Sequence, residues 1–348
     1  MVPSYAYTYI KIAFLRKLII DENTLLNFKK IDNINEFIEA IKIYYPNINI
    51  KDNTIGSIEL ALYHNYIKMI GKIMLYSPPN MRSFLKSFLL KFEIINIKNT
   101  IISSILGLTF EEKKRRTNFL VEEYLENTEF IEDLLKISSL DEIQLFMKKT
   151  KYNIPIREGI FYFKNYKEIF VLEAFLDQFY YENLLKLLKN LNPKEKKIIT
   201  LYVKYKVEIY NINVIYRGLK NNIDKNLLSQ FLVNSYLFLD KGKMEYLLSL
   251  EDPDVFMSLI TDYVTNIKEI KEYYKNIIIN QKHIIHSIEE LYLNYYFKKF
   301  KIQIDDIDLI TIFKILEVII KKEEEIRFSI IPMVVNILHS KYRALKTF

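Results

Sequence analysis

The residues of this 348-residue chain with the most evident chemical potential are His283 and His286, followed by Glu289 and Glu290. Side chains three apart share a helix face, so a His-x-x-His pair with a nearby carboxylate has the spacing of a zinc site. Glu289 recurs elsewhere in the chain as part of a repeat, however, so the histidines read as a solvated pair at a helix start. Glu111-Glu112 and Glu323-Glu324-Glu325 offer paired carboxylates for general acid–base work. Both lie in mixed-charge runs; that of Glu111 to Arg116 reads as a solvated helix face or loop. Cysteine is absent, which excludes thiolate catalysis, disulfides and cysteine-ligated metals, and suits a reducing intracellular setting. The nearest glycines are Gly56 and Gly71, too far apart for a phosphate-cradling loop or a dinucleotide fingerprint. The residues therefore point to no catalytic group, no cofactor and no metal.

The elements that carry these residues are helices. Six glycines and eight prolines give few breaks, and apolar residues recur at intervals of three and four over long stretches. Leu172, Phe175, Leu176, Phe179, Tyr180 and Leu184 keep one face apolar over three turns. The fold class is all-α. Asp141 and Asp254 precede apolar i, i+4 pairs and mark helix starts, where a carboxylate accepts free backbone N–H groups. The stretch from Met1 to Arg16 is apolar but has no basic region ahead of it and no cleavage site, and reads as the first helix. The run from Phe328 to Leu338 is broken by Pro332 and is too short to span a bilayer, so any membrane contact is peripheral. Fifty basic residues against 43 acidic ones give a formal charge of +7, a mild bias spread along the chain that suits an acidic partner or an anionic surface.

Internal repeats organise the chain. Glu59, Glu173 and Glu289 are each followed seven residues on by a tyrosine, Tyr66, Tyr180 and Tyr296. The copies recur about every 115 residues, far beyond the ~34–47-residue period of helical solenoids, so the unit is a whole domain. A second motif keeps the same phase: Glu93-Ile94-Ile95-Asn96, Glu208-Ile209-Tyr210-Asn211 and Glu324-Glu325-Ile326-Arg327. A looser third element, beginning at Asn35, Asp141 and Asp254, reads as one short capped helix per copy. These phases divide the chain into residues 1–78, 79–192 and 193–348, the last with a closing C-terminal helix. The recurring glutamate is suited to pairing with a Lys or Arg on a neighbouring helix, and the tyrosine to burying its ring with its hydroxyl bonded. Glu59, Tyr66, Glu173, Tyr180, Glu289, Tyr296, Glu93, Asn96, Glu208, Asn211 and Glu325 are thus architectural positions.

Three tandem copies, a bridging helix with Glu-x-x-Asn and a C-terminal Glu-Glu-Ile-Arg helix resemble the C subunit of the A-type/V-type rotary ATPases, whose eukaryotic relative is the d subunit. The resemblance covers essentially the whole chain. Two features depart from the family: Tyr5, Tyr7 and Tyr9 precede Lys11 and a single Arg16 rather than paired arginines, and Phe328 stands where an Asn is expected. The resemblance implies three helical bundles arranged as a funnel around a pseudo-threefold axis. It implies a non-catalytic central-stalk socket, one copy per complex, that couples the rotating shaft subunits to the proteolipid (c/K) ring. It further implies no nucleic acid, no small-molecule substrate and a peripheral place at the cytoplasmic face of the cell membrane. The alternative left by the residues themselves is a helical scaffold or nucleic-acid-binding protein with independently triplicated bundles. The C-terminal helix from about Ile307 is expected to pack on the N-terminal helix.

Overall fold

The computed structural model describes residues 4–272, 283–301 and 306–346; residues 1–3 of the apolar N-terminal stretch lie outside them. Among the described residues there is no strand. The first part of the chain forms α1 (Ala6–Leu15), α2 (Glu22–Phe28), α3 (Ile34–Ile41), α4 (Ile55–Tyr76), α5 (Pro79–Ile105), α6 (Phe110–Arg115), α7 (Phe119–Leu125), α8 (Thr128–Lys136) and α9 (Leu140–Met147). The middle forms α10 (Asn153–Tyr166), α11 (Ile169–Leu187), α12 (Pro193–Lys220), α13 (Lys225–Phe231), α14 (Lys241–Ser249), α15 (Pro253–Thr265), α16 (Lys268–Lys271) and α17 (Ile284–Lys301). The end forms α18 (Ile307–Glu324) and α19 (Ile331–Lys346), joined by a π-helical turn, Glu325–Ile330. No helix among the described residues is long and apolar enough to cross a membrane.

The two longest helices, α5 and α12, are built alike from end to end. Each starts with a proline at its first position, where the missing N–H costs nothing. Each ends in a residue of left-handed conformation, Gly107 at φ 68° and Asn222 at φ 51°. There, Leu108 N–H bonds the Ser103 carbonyl and Ile223 N–H the Gly218 carbonyl, satisfying the last free carbonyls of each helix. Asn192 and Glu195 form a reciprocal capping box at the start of α12, as Thr109 and Glu112 do for α6.

Local caps also refine the expected helix starts. The cap of α15 is Asp252, whose side chain accepts from Asp254 N–H, so Asp254 lies inside the first turn. Ser139 Oγ accepts from Glu142 N–H, so Asp141 likewise sits one step inside α9. Both still lie where negative charge suits the helix dipole.

The chain forms two compact units. One comprises Met1–Phe146 and Asp306–Phe348, the other Met147–Asp305. In the first unit α1 packs on both α4 and α18, and α5 packs on α4, α6, α7 and α8. The two ends of the chain thus meet: Tyr5 N–H donates to Asp308 Oδ1 at 3.3 Å and Lys322 Nζ to the Leu18 carbonyl at 2.7 Å. In the second unit α10 and α11 form a tight hairpin, and α12 packs on α11, α13, α14, α15 and α17. Gly159 lets α10 approach the Leu172 backbone, since a Cβ there would stand 3.2 Å from Leu172 Cα.

The run from Phe328 to Leu338 is helical throughout, so the break expected at Pro332 is absent: the proline lies in the first turn of α19. Proline has no N–H to give the Phe328 carbonyl, and the π-helical turn directly precedes it, at the position where the other copies carry an asparagine.

Candidate functional site

Three buried carboxylates recur at the same place in the repeat, and each holds the segment of chain that packs beside its helix. Glu93 on α5 and Glu208 on α12 are fully buried; Glu325 opens the π-helical turn after α18 and is buried as well. Glu208 is the most richly served: Leu237, Phe238 and Leu239 donate backbone N–H groups to its Oε2 at 2.7, 3.0 and 3.2 Å. Tyr292 Oη donates to its Oε1 at 2.9 Å. Glu93 Oε1 accepts from Asn127 Nδ2 at 2.5 Å. Glu325 accepts from Ile20 N–H at 2.8 Å, from Tyr45 Oη at 2.6 Å and from Lys322 Nζ at 2.6 Å. Glu208 and Glu325 accept backbone N–H groups that lack a helical partner, and all three carboxylates accept from side chains, which is the condition for burying such a group at all.

One turn beyond two of these glutamates stands an asparagine that clasps a single residue by both backbone groups. Asn96 Oδ1 accepts from Asn118 N–H and its Nδ2 donates to the Asn118 carbonyl, both at 3.0 Å. Asn211 treats Val233 identically, both bonds being 2.9 Å. The sequence separation is 22 residues in both clasps. An amide is the one side chain that offers a donor and an acceptor side by side to a peptide edge. In the third copy Phe328 cannot do this, and Glu325 together with Lys322 replaces the clasp. Lys322 Nζ reaches the Leu18 and Tyr44 carbonyls at 2.7 and 3.3 Å and lies 3.6 Å from the Tyr45 ring centre.

Burial dominates the electrostatics of these networks. It raises the Glu208 carboxyl pKa against the opposing pull of the Leu237 N–H and Tyr292 hydroxyl. Tyr292 and Tyr45 are pushed well above the usual phenol range, first by burial and then by the charges of Glu208 and Glu325 respectively. Lys322 is lowered to about 8 by burial, with Glu325 opposing the shift.

The other repeat positions lie on the helices that pack against the long ones. Tyr66 on α4 is fully buried and donates its hydroxyl to the Ile319 carbonyl of α18 at 3.1 Å. Tyr296 on α17 is fully buried, with its hydroxyl 3.5 Å from the Ile198 carbonyl of α12. Tyr180 on α11 is buried against the Tyr181 ring. Glu289 pairs with Lys206 of α12 at 2.5 Å, and Glu173 with Arg217 of the same helix at 3.2 Å. Glu59 is half-buried on α4, and burial raises its pKa.

The structure corrects two assignments of charge. The run from Glu111 to Arg116 is not wholly a solvated face: Lys113 is buried, its Nζ donating to Ser104 Oγ and the Ile137 carbonyl. The Glu323–Glu325 run is likewise internal at two of its three residues, with Glu323 paired to Lys91. Lys113 completes a hydrogen bond that the end of α8 leaves open and Lys91 neutralises a buried carboxylate, so local charge density was a poor guide to exposure. Sequence patterns also gave no signal for Asn118, Glu122, Asn127, Tyr45 or Lys322. Of these, Glu122 is fully buried and takes a 2.8 Å bond from Asn96. His283 is exposed just ahead of α17 and His286 half-buried within it. Among the described residues no group of three or more His, Cys, Asp or Glu is arranged to hold a metal ion.

The arrangement is a set of clasps that fasten short helices to long ones. Comparison with known proteins gives it a lineage. The family model for the ATP synthase (C/AC39) subunit matches residues 11–328. The A-type ATP synthase C subunit of Methanosphaera stadtmanae is 22% identical over 77% of this chain and 71% of its own length. Its namesake from Pyrococcus furiosus is 21% identical over 93% of this chain and 84% of its own. That from Methanococcoides burtonii is 22% identical over 74% and 71%. With the match running through all three buried carboxylates, the chain belongs to the ATP synthase (C/AC39) subunit family.

Proposed function

We propose that this chain is the non-catalytic socket of a rotary ATP synthase, one copy per complex, seated between the rotating shaft subunits and the proteolipid ring at the cytoplasmic face of the membrane. In this role it passes torque between the shaft and the ring, in ATP synthesis driven by ion flow or in ion pumping driven by ATP. It carries out no chemistry of its own and needs no cofactor, nucleic acid or small-molecule substrate.

The observation that carries this reading is the way the repeat closes. In residues 193–348 the long helix α12 bears the buried Glu208, and a later helix carries a buried tyrosine that returns to it. Tyr296 of α17 does so on α12. For residues 1–78 the tyrosine is Tyr66 of α4, and the helix it meets is α18, from the other end of the chain. Glu325 then fastens Ile20 and Tyr45 as Glu208 fastens residues 237–239. A tandem array in which α18 completes the first bundle supports a closed set of three bundles, 1–78, 79–192 and 193–348, around a pseudo-threefold axis.

Stiffness is the property such a part needs. Helices of 27 and 28 residues open the second and third copies with neither a proline nor an exposed glycine in their interiors. Their side-chain clasps also hold the adjoining loops at buried sites, where a hydrogen bond is costly to break.

The test is purification of the natively expressed chain through a C-terminal tag, from membranes washed at low ionic strength, with quantification of every co-purifying subunit. Recovery of shaft, catalytic hexamer and proteolipid with one copy of this chain supports the proposal. Recovery of nucleic acid, or of none of those subunits, refutes it.

A further inference from the structure

One helix face carries an exposed apolar stripe. On α1, Thr8, Ile12 and Leu15 are buried toward α4 and α18, while Tyr7, Ile10 and Phe14 stand 76, 55 and 63% exposed on the opposite face. The spacing of three and four is that of a helix packed on a partner. Where a fold leaves such a stripe in water, it commonly marks an interaction site.

The surroundings of the stripe are cationic. No acidic residue occurs between Ser4 and Ile20, whereas Lys11, Arg16 and Lys17 do. Lys11 holds its ammonium 4.6 Å from the Tyr76 ring centre, Lys17 lies 5.8 Å from that of Phe14, and Lys314 lies 4.5 Å from that of Tyr9. The carboxylates that border α1 are engaged: Asp308 accepts the Tyr5 N–H, and Glu317 is met by Arg16 at 3.6 Å and Lys321 at 3.0 Å. What remains outward is aromatic and aliphatic at the centre and positive at the rim. That is the complement of an apolar surface edged with carboxylates.

We infer that the Tyr7–Ile10–Phe14 face of α1 docks on another protein subunit of the ATP synthase, on a surface that is apolar at its centre and acidic at its edge. This rests on the proposed function and specifies one of its joints. A protein occupant is favoured over a bilayer because the stripe is three side chains. That is the scale of the Tyr- and aromatic-rich centre of a protein interface. It is small beside the continuous apolar face with which a helix lies in a membrane surface. The Lys and Arg rim sets orientation and salt sensitivity more than strength.

The experiment replaces Ile10 and Phe14 together with aspartate in the tagged full-length chain. Both side chains are exposed, so the thermal midpoint of the purified variant should equal that of the unaltered protein. A second variant, Lys11→Glu with Lys17→Glu, reverses the rim while leaving the stripe. Each is purified from its own cells beside the unaltered chain, and shaft and proteolipid subunits are quantified. The inference predicts that I10D/F14D loses the shaft, the proteolipid or both by at least about tenfold, as loss of an interface hot spot would. The rim variant should lose the same subunit, most at low salt, where the reversed charges are least screened. Equal recovery with unaltered and I10D/F14D chains overturns the inference and leaves the proposed function standing. Failure of the unaltered chain to bring down either subunit overturns the proposed function itself. The purified chain is also sedimented with phosphatidylglycerol vesicles. Binding that I10D/F14D abolishes, without any change in subunit recovery, assigns the face to lipid and overturns the protein occupant.

Discussion

Replacing Asn211 with alanine removes both halves of one clasp and tests whether these amides hold the fold together. Asn211 is buried on α12 and makes two 2.9 Å bonds to the backbone of Val233. The substitution leaves the buried Val233 N–H without a partner, while its carbonyl keeps the bond from Ser235 N–H, so the expected loss is about 1–3 kcal/mol. With an m-value of about 2 kcal/mol/M, the urea midpoint of the affected transition falls by about 0.5–1.5 M. Amide exchange at Val233 reports the local event: its protection should drop more than that of amides in α17, which belongs to the same unit. Asn211→Asp keeps the acceptor and loses the donor, and should lie between alanine and the unaltered protein in Val233 protection. Asn96→Ala should cost at least as much as Asn211→Ala, because Asn96 Nδ2 also serves Glu122. A midpoint unchanged within about 0.2 M urea, with Val233 as protected as before, would refute the reasoning, since an unpaired buried N–H cannot be that cheap.

Three further outcomes follow from the same geometry. Tyr292→Phe deletes the hydroxyl that Glu208 accepts and should lower stability by about 1.5–3 kcal/mol, the worth of a hydrogen bond to a charged group, measured by chemical denaturation. Lys113→Met keeps the stem but removes the charged donor to the Ile137 carbonyl, which retains only the longer bond from Ser104 Oγ, and should cost about 1–3 kcal/mol, whereas exposed Lys114→Met should stay within about 0.5 kcal/mol. Lys322, lowered to about 8 in the fold, binds its proton more tightly once unfolded. Its contribution therefore rises as the pH climbs from about 8 toward the ordinary lysine value of 10.5, by at most about 1.4 kcal/mol per pH unit. Unfolding midpoints of the unaltered protein and Lys322→Met, compared at pH 7.5 and 10, should show that rise in the former and its loss in the latter.

Much of this was legible in the sequence because it is local or periodic. The apolar spacing gave helices, and the recurrence of Glu with Tyr seven residues on, and of Glu with Asn three on, picked out side chains that are buried and bonded, apart from the half-buried Glu59 and Glu173. What each residue touches was not legible. Glu325 meets Ile20 and Tyr45, which are 305 and 280 positions away, and no local pattern marks either as a partner. Lys113 and Glu323 were hidden for a different reason. They sit in runs of charge that read as solvated, and only the packing of α5, α6 and α8, or of α5 and α18, turns them inward. Phe328 was visible as a departure from the repeat, but its replacement by a lysine and a glutamate at the same joint required the fold.

The central claim is that this chain carries torque between shaft and ring. It is tested most directly by ATP-driven ion uptake in native membrane vesicles from cells lacking the protein, with purified chain then added back. The account predicts vesicles that keep their proteolipid but shed catalytic subunits and pump no ions, with uptake restored by the added chain and not by a chain carrying Asn96→Ala and Asn211→Ala. Undiminished ATP-driven uptake in vesicles that lack the chain would contradict it.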